Sequence, residues 1–188
     1  MELNELLHHI GWYLKGYEFL IVFWFVVAYF PTCKWSLFTA SGKNLNSLHL
    51  HEMHSCFITA LCILMFHIIG SELEAFFTGP FLAQLDDKIR VFYLVVLINQ
   101  FIFLSAVFCI HRIRYIQFSL VTRFNLYTTL IVMAVMMMQL IARGYFDYHE
   151  LKPAYKIVFW SCNIASIIAI SIYPIRHTLA HFKKASLG

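Results

Sequence analysis

Charge is what this 188-residue chain has least of. Asp, Glu, Lys and Arg together make up only 13% of it, about half the share found in an ordinary soluble domain. The converse excess, 61% hydrophobic residues, excludes a water-soluble fold, because a core of this size cannot hold so much apolar surface. The 14 basic residues form no stripe, which excludes the electrostatic footprint of a nucleic-acid-binding protein. No CxxC pair occurs among the five cysteines. Cys56, Cys62, Cys109 and Cys162 lie in or beside apolar runs and read as small packing residues. There is no glycine-rich phosphate loop, no GxSxG, no HExxH and no carboxylate pair inside an apolar run, so no motif names a reaction. The opening Met1-Glu2-Leu3-Asn4-Glu5 is acidic, unlike the basic start of a cleaved secretory signal.

What is present is a succession of apolar segments separated by polar ones. Residues 1–16 place Leu3, Leu6, Leu7 and Ile10 at helical spacing against Glu2, Glu5 and Lys15, which predicts a short interfacial helix leading into the membrane. Apolar spans are expected at about 14–30, 55–72, 91–110, 126–142 and 157–175. The third is the clearest, with 20 residues and no charge, the length a bilayer core requires. The first is weak: it stops at Pro31 and contains Lys15 and Glu18, which must snorkel or face protein. If it fails to cross, four spans remain. Breaks are expected at Ser41-Gly42-Lys43-Asn44, at Gly79-Pro80, in a charged connection from Gln84 to Arg90, and at Arg143-Gly144. The fold class is therefore all-α, a polytopic transmembrane bundle of about five spans forming one domain over residues 1–188.

With five spans, one side of the membrane carries six Lys and Arg and nine acids, and the other carries eight Lys and Arg and only Glu52. The net charges are −3 and +7, and the two faces are called the acidic and the basic side below. The basic excess predicts that the basic side, with the C-terminus, lies in the cytoplasm, in a bacterial inner membrane. Glu72 and Glu74 are expected to pair with Lys88 or Arg90 across the acidic side.

Each later span carries a polar group at membrane depth: His67, Asn99, Gln100, Gln139 and Asn163. An amide left unpaired in hydrocarbon costs several kcal/mol, so these side chains should face protein or a water-filled cavity. Two readings follow: hydrogen bonds between helices, or the lining of a polar path or subunit interface. His67 is ionisable and could gate a pore or answer to pH. In the fifth span Ser161, Ala165 and Ala169 recur every four residues, a small-residue face suited to close helix packing.

Ten histidines raise the question of a metal. His49, His51 and His54 form the densest group, and His177 and His181 form an i, i+4 pair on the same side; imidazoles in such clusters suit Zn, Cu, Fe or Ni. Membrane desaturases and hydroxylases carry three clusters with adjacent His pairs, whereas the only adjacent pair here, His8-His9, falls on the opposite side; that departure argues against the family. A haem b held by His54 and His67 would need partners on a second helix, where His111 is the one candidate. Met133, Met136, Met137 and Met138 point in different directions and read as packing rather than a copper path.

The expectation is a non-catalytic membrane subunit without a cofactor. Its partners would be the lipid bilayer, further copies of itself and a cytoplasmic or membrane protein. It would act as an anchor, sensor or pore-former, and bacterial immunity modules contain proteins of similar size and topology. The competing reading is a metal- or haem-dependent membrane oxidoreductase using the five clustered histidines.

Overall fold

A lipid-exposed backbone must satisfy its own hydrogen bonds, which leaves the helix as the economical way for these apolar runs to cross a bilayer. The computed structural model describes residues 3–45, 47–77, 79 and 85–185. Among them are six helices and one short 3-10 turn, with no strand: α1 (Leu3–Cys33), α2 (Ser36–Thr39), the 3-10 turn (Gly42–Asn44), α3 (Leu48–Phe77), α4 (Leu85–Ile113), α5 (Leu120–Tyr145) and α6 (Lys152–Ala185). Five of the helices are long and apolar enough to cross a membrane, with candidate spans of 25 to 32 residues. At 1.5 Å per residue even the shortest reaches about 37 Å, more than the roughly 30 Å hydrocarbon core.

The helices run longer than the apolar runs predict. Residues 3–16 are the opening turns of α1 rather than a separate interfacial helix. Pro31 sits inside the last turn of α1, and Pro174 is accommodated within α6, which continues to Ala185. The Gly79-Pro80 break and the start of the connection at Gln84 involve residues outside the described set.

Three helix ends use left-handed residues that are not glycine: Lys34 after α1, Tyr115 after α4 and Asp147 after α5, with φ of 47°, 55° and 52°. After α5, the Tyr148 N–H reaches back to the Ala142 carbonyl at 2.9 Å, the closure that usually has glycine at the turning residue. Arg143-Gly144, expected to end α5, lies inside it.

Around the bundle, α1 packs against α3 and α6, α3 against α4, α4 against α5, and α5 against α6, with α3 also touching α5 and α6. α3 is therefore the central helix, and an unbroken run from Met53 to Ala60 is buried. Two apolar clusters result. The larger, in the basic half, includes Phe25, Leu37, Met53, Phe57, Val107 and Ile170. The smaller, in the acidic half, joins Tyr93 and Val96 of α4 to Val132 and Met136 of α5.

The connections on the basic side are bonded to each other. Gly42 N–H donates to the Arg114 carbonyl at 2.6 Å, and the Arg114 Nε donates to the Ala40 carbonyl at 2.9 Å. A Cβ at Gly42 would lie 2.0 Å from the Tyr115 carbonyl oxygen, so only glycine permits this approach. The Lys43 ammonium stands 4.2 Å above the Tyr115 ring. On the acidic side Arg90, expected opposite Glu72 or Glu74, instead donates to the Gly144 carbonyl and lies over the Tyr145 ring.

Candidate functional site

The inner stripe of α1 reads Glu18, Ile21, Phe25, Tyr29, at steps of three and four, and all four residues are buried. Helical geometry thus carries a carboxylate inward along with three apolar side chains. Glu18 has no exposure, and its Oε1 lies 2.7 Å from His67 Nδ1 on α3. Two lone pairs do not approach that closely, so a proton lies between them. Glu18 Oε2 has no hydrogen-bond partner among the described residues. Both residues lie within candidate membrane spans, Glu18 in His9–Cys33 and His67 in Leu48–Phe77.

His67 also faces two spaces. One is a small cavity of about 30 Å³ lined by His67, Asn99, Gln100, Asn125, Thr128, Thr129, Asn163 and Ser166 together with Ile63, Phe66, Phe103, Val132 and Cys162, which is room for about two water molecules. The other is a vestibule of about 220 Å³ between α1, α3, α4 and α6, sharing Phe66, His67, Asn99, Gln100 and Asn163 with the cavity. Its outer rim bears Lys15, Ser71 and Glu74, and Glu74 stands within electrostatic range of both Lys15 and His67. The vestibule occupies the acidic half because α1 and α6 are joined at the opposite end. There the Tyr29 and Tyr173 hydroxyls lie 2.8 Å apart, and His177 packs on Trp24 and Tyr29.

Four of the five polar residues singled out in the spans therefore meet: His67, Asn99, Gln100 and Asn163 each line both the cavity and the vestibule. Asn99 Nδ2 donates to the Phe66 carbonyl at 3.2 Å, in the room left by Gly70, where a Cβ would lie 2.7 Å from that nitrogen. Gln139 is not among them. It is fully buried on α5 outside both spaces, and its Oε1 and Nε2 have no partner among the described residues. Along the small-residue face of α6, Ala169 is buried, Ala165 half-buried and Ser161 exposed.

A second polar group lies in the basic half. The Thr122 hydroxyl is 2.7 Å from Ser55 Oγ, 2.7 Å from Thr59 Oγ1 and 2.9 Å from Ser119 Oγ. Ser55 Oγ is 2.9 Å from His111 Nε2, while His111 Nδ1 is 2.7 Å from the Val107 carbonyl. A carbonyl only accepts, so Nδ1 carries a proton, and in the neutral ring Nε2 accepts from Ser55. Ser55, Thr59, His111, Ser119 and Thr122 are all buried. These hydroxyls went unremarked in the sequence. The signal was the inward face of α5, where Ser119, Thr122, Asn125 and Thr128 recur every third residue.

The clustered histidines disperse. His49 Nε2 lies 3.3 Å from the Tyr173 hydroxyl, and His49 and His177 line one surface pocket with Glu52 and Arg176. His51 Nδ1 accepts from the Gln117 N–H at 3.4 Å, His54 is buried in the bundle, and His181 is exposed. Among the described residues no group of three His, Cys, Asp or Glu side chains is placed to hold a metal ion.

The fold and these spaces define a polytopic α-helical membrane protein with an ionisable pair inside its candidate spans. No protein-family model, curated protein or solved structure matches the chain.

Proposed function

We propose that this is a non-catalytic, proton-responsive protein of a bacterial inner membrane, which binds and releases a proton at the Glu18–His67 pair. The observation that carries the reading is a carboxylate with no exposure, 2.7 Å from an imidazole that lines a vestibule. An ionisable residue inside a span carries function by default, and here its partner and its route to water are both present. With one proton the pair has net charge −1; with two it is neutral. Because Glu18 belongs to α1 and His67 to α3, the change in charge acts on the packing of those two helices. Other charged groups facing the pair are Lys15 from α1 and Glu74 from α3; the cavity and vestibule residues from α4, α5 and α6 carry none.

The basic side lies in the cytoplasm, so the vestibule faces outward and the protein reads external acidity. The basic surface meets a cytoplasmic partner or anionic lipid. Self-association places exposed Ser161 and its lipid-facing neighbours between copies. This favours the sensor and pore readings over the anchor.

The test is infrared difference spectroscopy of protein in lipid nanodiscs across a pH series. A carboxylic-acid band that rises with acidification and is absent in Glu18→Gln supports the reading. A spectrum identical in wild type and Glu18→Gln overturns it.

A further inference from the structure

We infer that the polar axis continues past the Glu18–His67 pair to the basic side and that the protein passes protons across the membrane. The inference rests on the proton-binding reading above and adds a route of exit. From the acidic side, the vestibule leads to His67, and His67 borders the smaller cavity. In the cavity the Thr128 and Ser166 hydroxyls lie 3.1 Å apart, among the amides of Asn99, Gln100, Asn125 and Asn163. The inner limit of the cavity is Ile63 of α3 and Asn125 of α5. One turn further along the same two helices stand Thr59 and Thr122, so the gap is about 5 Å of helix rise. The route requires one water in that gap, accepting from one oxygen and donating to another.

Beyond the gap Thr122 is a hub. It has one hydroxyl proton and three oxygens within 2.9 Å, on Ser55, Thr59 and Ser119. At rest Thr59 donates to the Ser55 carbonyl at 2.9 Å; turned toward Thr122 Oγ1, 2.7 Å away, the same hydroxyl passes its proton on as its oxygen accepts one from the cavity side. Ser119 closes the route, because it also lines an open pocket on the basic side with Leu48, His51, Glu52, Gln117 and Arg123. Ionisable groups along this half are His111, with Arg114 in electrostatic range, and His51, Glu52 and Arg123 at the exit.

Each transfer breaks one O–H or N–H bond and forms another. A hydroxyl accepts a proton on its oxygen and releases its own to the next acceptor. One proton enters from water at the vestibule, one leaves to water beside Ser119, and the net movement is one positive charge down the proton gradient. No other bond changes and no oxidant or reductant is needed.

The experiment uses the purified full chain in liposomes holding a pH-sensitive dye, with a potassium diffusion potential set by valinomycin. Wild-type vesicles should acidify at least tenfold faster than protein-free ones. T122V, which keeps shape and loses the hydroxyl, should abolish most of that excess, as should S55A. T122S keeps a hydroxyl and should retain at least half of the flux, which separates loss of the proton route from loss of fold. Wild-type flux equal to that of empty vesicles overturns the inference, and the infrared response of Glu18 then still supports the proton-binding site. Full flux in both T122V and S55A overturns the route. Flux that survives Glu18→Gln but falls in T122V overturns the role of the pair while leaving the exit in place.

Discussion

Replacing His67 by leucine should destabilise the bundle through what it leaves behind. Glu18 has no exposure, and its only hydrogen bond among the described residues is to His67. Removing one partner of a buried charged pair costs about 3–5 kcal/mol, because the other charge is then stranded in low dielectric. The His67 side chain keeps 29% exposure, so water in the vestibule already screens part of the interaction, and the expected loss falls to about 2–3 kcal/mol. Glu18→Leu alone strands only a half-exposed imidazole and should cost about 1 kcal/mol. Removing both groups should be close to neutral, since an apolar pair of similar volume commonly replaces a buried ion pair without loss. The double-mutant cycle therefore predicts a coupling of about 3–4 kcal/mol. It is measured by unfolding the four proteins in mixed micelles with increasing SDS, followed by far-UV circular dichroism. Additivity within about 0.5 kcal/mol, the ordinary behaviour of independent sites, would refute the claim that these two side chains act as one unit.

Four further outcomes follow from the geometry. Gln139→Leu should stabilise the protein by about 1–3 kcal/mol in the same SDS titration, because it removes a buried amide whose Oε1 and Nε2 have no partner among the described residues. Gly42→Ala should cost about 1–3 kcal/mol and should raise proteolysis in the connection between α1 and α3, since its Cβ would meet the Tyr115 carbonyl oxygen at 2.0 Å. Lys34→Gly should gain about 0.5–1 kcal/mol by relieving the left-handed backbone at φ 47°, a gain readable as a higher midpoint in the titration. Asn99→Leu should lose the 3.2 Å bond to the Phe66 carbonyl and cost about 1–2 kcal/mol; unchanged stability would mean that Asn99 does not hold α3 to α4.

The membrane architecture was legible because hydropathy is summed over a whole span, and single residues hardly alter the sum. Helix ends were less legible. Pro31 reads as a stop, yet it falls in the last turn of α1, and Pro174 is likewise carried within α6, as membrane helices allow. The meeting of His67, Asn99, Gln100 and Asn163 followed from the cost of an amide in hydrocarbon, which sends such groups inward whatever the helix order. The partnership of Glu18 and His67 was not legible, since nothing in a linear chain says that α1 packs beside α3 at that height. The hydroxyls of Ser55, Thr59 and Thr122 were hidden for another reason. Serine and threonine satisfy themselves on their own helix backbone, as Thr59 does on Ser55, so their presence in an apolar run raises no alarm.

The two ends of this molecule are fastened unequally. At the basic end the chain folds its connections into one another at Gly42 and Arg114, and α1 is clasped to α6 by Tyr29 and Tyr173. At the acidic end α1 and α6 leave a space wide enough for solvent. Such a shape behaves like a pair of tongs. Its pivot is fixed at one end of the bundle, and any opening or closing between α1 and α6 is delivered to the vestibule beside Glu18 and His67.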